Sequence, residues 1–289
     1  MVEQLNTVVI GGALVAVAFV MLAWQEHRRP LRRETESKVR RQARNFSVGG
    51  LGAAALVFAE SPLIQPWARY VESQRWGLLG WIPLSPWLEA AAALVLMDYT
   101  FYVWHVLLHR VPVLWRFHSV HHVDLDLDAS TALRFHFGEL LISIPWRAAQ
   151  VVVLGLTPST FFVWQIAFAV SVLFHHSNIE LPIRWEQIIN RVFVTPRMHG
   201  IHHSIVAEET NSNWSSGLTI WDWLHGTLRL NVPQQEITIG VPAFRDPRSV
   251  SIAKVLLMPF RHPPDYWRLP NGQAPVPHRS AAPEDRLLT

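Results

Sequence analysis

The sequence contains no cysteine, which removes disulfides, thiolate zinc sites, cysteine-ligated iron–sulfur clusters and thiolate-ligated haem from consideration. Charge is also scarce. Only 16% of the 289 residues are charged while 50% are hydrophobic, fewer charges than a soluble domain carries. Lysine is almost missing, with two against twenty-three arginines, a compositional lean towards a bacterial inner-membrane protein. There is no internal repeat and no low-complexity tract. The positive mean hydropathy and the fourteen tryptophans point to a surface that partly faces lipid. Without thiolates, metal or redox chemistry here falls to imidazole, and the chain has fifteen histidines.

Several uncharged runs approach the roughly 20 residues that span a bilayer. Thr7 to Trp24 is one, followed by Arg28, Arg29, Arg32 and Arg33. Positive charge after the apolar run and the lack of a small-residue cleavage site read as a retained anchor. Gln25 to Arg44 holds eight Arg or Lys against three Glu; lying between two apolar segments, it reads as a cytoplasmic positive-inside loop on anionic headgroups, not a nucleic-acid site. A second, short segment, Phe46 to Ala59, ends at Glu60 and Pro62 and leads into Trp67, Tyr70, Trp76, Trp81 and Trp87, spaced as an aromatic belt on the far side. Trp87 to Leu108 is a third. Ala148 to Phe174 lacks formal charge but is broken at Gly155 and Pro158, the pattern of a helical hairpin. These features predict an all-α integral membrane bundle with about four transmembrane segments and a cytosolic histidine-rich cap holding a dinuclear metal site. Residues 1–85 form the anchor region, 86–232 the catalytic domain and 233–289 a C-terminal cytosolic segment. Its proline-rich end, Arg261 to Thr289, is expected to be extended or disordered.

The histidines fall into groups: His105 and His109 as HxxxH, His118, His121 and His122 as HxxHH, and His199, His202 and His203 as HxxHH again. Residues three or four apart share one helix face, so each group can converge on one ion or on two neighbouring ions. One such pair alone is commonly packing, but three groups in one chain are costly to bury without a partner. Imidazole suits Zn, Cu, Fe and Ni. The HExxH signature of zinc hydrolases is absent, because Val106 follows His105 and Gly200 follows His199, so iron and oxygen chemistry fits better.

The run from Asp98-Tyr99 to Trp104-His105, continuing through His109 to His118 and His121-His122, resembles the fatty acid hydroxylase and sterol desaturase superfamily. So do Thr131 to His136 with Glu139, Phe174 to Asn178, Thr195 to His203, and the Trp221-Asp222 and Gly226-Thr227 pairs. The resemblance implies a membrane-bound di-iron oxygenase that hydroxylates or desaturates an unactivated C–H bond of a fatty acyl, sterol or related lipid. Two Fe ions would be the cofactor, with zinc able to substitute on purification. O2 would be co-substrate, and a separate cytochrome- or ferredoxin-type protein the electron donor. Carried onto this sequence, the metal ligands are His105, His109, His118, His121, His122, His199, His202 and His203, with His175 and His176 matching a further histidine position between which the sequence does not choose.

Asp98, seven residues before His105, is expected to accept the second N–H of a ligand imidazole, with Asp222 and Asn178 weaker candidates. His136 is left outside the metal set. His27, His225, His262 and His278 read as ordinary surface histidines. Gly50-Leu51-Gly52-Ala53 mimics a dinucleotide turn without its strand and reads as small residues for close helix packing. Asp124, Asp126 and Asp128 mimic the start of a calcium loop that lacks its glycine and glutamate; they are expected to cap a helix or sit at the cytosolic surface. The competing functional readings are a membrane metal-binding or transport protein and a bis-imidazole haem protein.

Overall fold

A computed structural model describes residues 2–278. Among these the chain is all-α, with only isolated β-bridges. Five stretches are long and apolar enough to cross a membrane, one more than the sequence count. Helix α1, Val2–Arg28, turns a row of large apolar side chains outward, including Val9, Leu14, Val17 and Met21. Exposed apolar rows of this kind are what a lipid-facing helix requires.

The second segment is longer than the sequence implied. Helix α2, Lys38–Ala55, runs through a π-helical turn, Leu56–Glu60, into α3, Ser61–Gln74. Pro62 did not end the helix: it follows directly on the π-helical turn, whose wider hydrogen-bonding pattern takes up the break in the ladder. After the one-turn α4, Leu78–Trp81, comes α5, Pro86–Arg110, with proline in its first turn. Pro112 starts α6, Pro112–His122. The expected hairpin is α7, Phe137–Leu154, and α8, Pro158–His176. It is two helices, because Gly155 takes a left-handed φ of 77° and Thr157 caps α8 through a capping box. Gly155 also lies against Gly77, whose Cβ, if present, would come within 2.2 Å of the Gly155 nitrogen. Two glycines are thus needed where these turns meet.

Trp67, Tyr70 and Trp76 pack together at this end, while Trp81 and Trp87 are exposed. The apolar core here joins Ile64, Val71, Met97, Leu154 and Phe161. The histidines lie at the opposite end, near the C-termini of α5 and α8. The loop after α1 is on the histidine side too, since the Leu31 N–H bonds the Asn178 carbonyl. Two short helices of the cap follow, α9, Ile183–Ile189, and α10, Pro196–His202.

Three expectations are corrected in the cap. Asp124, Asp126 and Asp128 are neither surface residues nor helix caps; all are buried, and Arg41 reaches each of them. Arg44 and Arg134 also face Asp124, and Asn45 donates to it at 2.8 Å. Burial opposes ionisation of Asp124, but Arg41, Arg134 and Arg44 outweigh it and hold the carboxyl below its ordinary value. Secondly, the basic loop is not wholly on the surface. Arg28, Arg29, Arg33 and Arg40 are exposed, whereas Arg32, Arg41 and Arg44 are buried and anchor the cap. Thirdly, the C-terminal segment has little regular structure, as expected, but it is packed down. Tyr266 is buried beside Trp115, Trp267 stacks on Trp115 at 5.5 Å, and His278 Nδ1 lies 2.8 Å from Glu209. The rest of that expected tail, 279–289, lies outside the described residues.

Candidate metal centre

Four elements deliver the histidines. The last turns of α5 carry His105 and His109, the end of α6 His118, His121 and His122, the end of α8 His175 and His176, and α10 with the residue after it His199, His202 and His203. Helical spacing within each element and the meeting of four C-terminal ends gather these rings into one buried mass. They sort into two groups. His105, His109, His118, His122 and His202 each offer one nitrogen within 4.8 Å of the others, and so do His121, His176, His199 and His203. The two groups touch through His122 and His203, stacked at 4.3 Å.

Around this mass lies a layer of acceptors that fixes ring orientation. His105 Nδ1 donates to the Trp214 carbonyl at 2.7 Å, His202 Nδ1 to the Ser212 carbonyl at 2.9 Å and His176 Nδ1 to the Val172 carbonyl at 2.8 Å. His118 Nδ1 sits 3.1 Å from Glu139 Oε1. A proton held at Nδ1 leaves the Nε2 lone pair free and aimed inward, the usual arrangement behind a metal-binding histidine. In the second group Nε2 faces Nε2: His121 to His176 at 2.9 Å, His176 to His199 at 3.0 Å, and His199 to His203 at 3.1 Å. Two bare lone pairs at such separations repel unless a cation lies between them. Nitrogens about 2.1 Å from one ion and about 90° apart would be about 3 Å from each other.

The first group passes a different test. His118 Nε2, His202 Nε2 and both ring nitrogens of His109 and His122 are buried with no hydrogen-bond partner among the described residues. Buried polar atoms are almost always satisfied, so so many unpaired nitrogens in one place fit a bound ion. Burial, then the neighbouring imidazoles, push His121, His122, His199 and His203 well below the ordinary histidine value. Burial takes His202 down to about 3, against the raising effect of the Ser212 carbonyl. These five rings are therefore neutral, the form that binds metal.

Of the ten histidines singled out in the sequence, nine fall in the two groups. His176 is in the second; His175 turns its Nδ1 to the Ser216 carbonyl at 3.0 Å and packs against His199. Asp98 does not take the part expected of it. Its Oδ2 accepts from the Leu218 N–H and from Trp221 Nε1, not from an imidazole. Asp222 serves the histidines indirectly, accepting from the N–H groups of Trp214 and Ser215 and so holding the loop whose Trp214 carbonyl binds His105. Asn178 pairs with the Arg32 backbone. His136 caps α7, accepting from the Gly138 N–H.

Sequence reasoning did not assign a role to Glu139 or to the carbonyls of Trp214, Ser212 and Val172. Glu139 stood within the resembling stretch, which was the one available signal. Backbone carbonyls leave none. His225 is exposed, as expected, and stacks on Tyr102 at 5.0 Å, whereas His278 is half-buried and pairs with Glu209.

An apolar cavity of about 500 Å³ adjoins the second histidine group. Phe135, in its wall, stacks on His121 at 4.5 Å, and Val172 and Glu139 link it to His176 and His118. Gly49, Gly50, Gly52 and Ala53 line it from α2. Gly49 and Gly52 also let the turn before α7 approach, since a Cβ would meet the Leu133 and Phe135 carbonyls at 2.9 and 3.2 Å. The small-residue run thus serves close packing, as expected, and gives room for the cavity.

A helical membrane protein whose buried histidines form two adjoining nitrogen clusters beside an apolar cavity is a candidate dinuclear metalloprotein. Residues 90–227 match the fatty acid hydroxylase family model. The chain is 34% identical over 155 residues to the ornithine lipid hydroxylase OlsE of Rhizobium tropici, covering 53% of this chain and 45% of that one. It is 32% identical over 158 residues to human cholesterol 25-hydroxylase, covering 52% of each chain. With human alkylglycerol monooxygenase it shares 29% over 184 residues, covering 63% of this chain and 39% of the other. The chain spans about half, or less, of the length of these relatives. No solved structure matches it.

Proposed function

We propose that this protein is an oxygen-dependent di-iron enzyme that oxidises an unactivated C–H bond of a membrane lipid, with hydroxylation as the outcome. The observation that carries the reading is an apolar cavity whose wall residues Phe135, Val172 and Glu139 touch histidines of both nitrogen clusters. A lipid chain in that cavity lies one layer of side chains, Phe135 and Val172, from the clusters, among the apolar residues Leu133 and Leu173. The relatives, named as hydroxylases and monooxygenases, support oxidation over metal transport.

In this reading His105, His109, His118, His122 and His202 hold one Fe and His121, His176, His199 and His203 the other, while His175 packs behind them. Zinc, which imidazole sites also accept, can replace iron on purification. A bound iron pair supplies oxygen activation. The chain supplies the remainder: carbonyls and Glu139 hold the rings, and the cavity positions the lipid and excludes water. Electrons come from a separate cytochrome- or ferredoxin-type carrier. The exposed arginines beside the histidine end support a cytoplasmic location for that end, and the near-absence of lysine is in keeping with a bacterial inner membrane. Residues 86–232 form the catalytic domain, 1–85 the anchor region and 233–289 the C-terminal cytosolic segment.

The test is elemental analysis of detergent-purified protein, wild type and His121→Ala, with lipid extracts incubated under isotope-labelled O2 and a reductant. About two Fe or Zn ions per chain, fewer in the variant, and labelled hydroxy-lipid only in the wild type are expected. A metal-free wild-type protein, or a variant that keeps full metal and activity, would end the reading.

A further inference from the structure

Besides Glu139 and Ser143, three polar side chains from three elements line the mostly apolar cavity. They are Glu60 from the π-helical turn, Arg147 from α7 and Gln165 from α8. Arg147 Nε lies 2.7 Å from Glu60 Oε2, Gln165 Nε2 donates to Glu60 Oε1 at 3.3 Å, and the guanidinium rests over the Trp164 ring at 5.7 Å. Glu60 is 2% exposed. A buried ion pair contributes little to packing that apolar residues would not match, and charged groups within membrane spans commonly mark a functional site. The π turn, which carries Glu60 into the cavity, is a second sign of this kind, because such turns cluster at functional sites.

We propose that Glu60, Arg147 and Gln165 grip the uncharged polar end of the lipid substrate, a hydroxyl group. The opposite charges of Glu60 and Arg147 cancel. A carboxylate would be repelled by Glu60 and an ammonium by Arg147, and either would be costly to strip of water. A hydroxyl donates to Glu60, accepts from Arg147 or Gln165, and costs far less to bury. Arg147 is eight residues beyond Glu139 on α7, about 12 Å along the helix, and Glu139 stands at the histidine end. Anchoring the hydroxyl therefore sets which carbon lies at the clusters, a role that rests on the oxygenase reading above; the binding preference itself does not.

Binding of radiolabelled hexadecan-1-ol, hexadecanoate and hexadecane to the purified full-length chain in nanodiscs tests this. Wild type should hold the alcohol about tenfold more tightly than the alkane or the carboxylate. Glu60→Leu with Arg147→Met, removed together so that no lone charge is buried, should bring the alcohol to the alkane's affinity and leave the alkane unchanged. Gln165→Leu should lose part of the preference, and it serves with the wild type if the double variant does not fold. No alcohol preference in the wild type, or the same preference in the folded variants, overturns the proposal. An alcohol preference without oxidation of any lipid leaves the anchor standing and refutes the oxygenase reading, and oxidation without any preference does the reverse.

Discussion

Replacing Glu139 should weaken one metal ion and spare the other. Its Oε1 lies 3.1 Å from His118 Nδ1, and His118 belongs to the five-histidine group. In Glu139→Ala the Nδ1 proton loses its buried acceptor and the ring its orientation. Loss of such a partner costs about 10- to 100-fold in metal affinity, or about 1.4–2.7 kcal/mol. Glu139→Gln keeps an acceptor oxygen but loses the charge, so it should fall near the lower end. Competition of the loaded protein against a graded series of chelators, with elemental analysis at each step, resolves the two ions. One should be released at about 10- to 100-fold lower chelator strength in Glu139→Ala while the second is held as in the wild type. Release of both together, or of neither, would refute the assignment of Glu139 to the first group.

Asp222→Ala removes the acceptor of the Trp214 and Ser215 N–H groups and of the Thr227 hydroxyl. Each orphaned donor costs about 1–3 kcal/mol, so Tm should drop, and the ion nearest His105 should loosen because its ring hangs from the same loop; unchanged Tm and metal content would contradict this. Breaking the buried arginine network with Asp124→Asn should cost roughly 3–5 kcal/mol. Because the Asp124 carboxyl is held below its ordinary value of 3.8, its contribution is present above that pH and lost as pH falls further, so the variant should show a shallower acid-unfolding curve than wild type. The C-terminal segment should be held best between pH 4.5 and 6.5. The Glu209 contact raises His278 above 6.5, so its stabilisation is full below 6.5 and fades as pH rises through the raised value. Burial opposes Glu209 ionisation, but His278 and Ser204 outweigh it and hold the carboxyl below 4.5, so its share fades as pH falls through the lowered value. Limited proteolysis of the C-terminus across pH checks both limits, and a flat profile would count against the contact.

The spanning segments were legible in the sequence because a bilayer demands long apolar runs whatever lies beside them. The histidine groups were legible because HxxxH and HxxHH spacing is local helix geometry. Helix continuity was less so. Pro62 looked like a stop, and only the π turn directly before it let the chain run on.

What the sequence determined by itself was therefore periodic or local: the all-α membrane character, the breaks at Gly155 and Pro158, and nine of the nitrogens that gather into clusters. The tertiary structure alone decided which histidines share a cluster, that His176 and not His175 joins one, and that Glu139 and three backbone carbonyls stand behind the rings. It also decided that Asp124, Asp126 and Asp128 are buried against arginines more than eighty residues away, and that Asp98 supports a loop in place of an imidazole. Each of these depends on pairing between elements distant in the chain. Spacing along one helix fixes which side chains share a face, but it carries no record of what that face will meet.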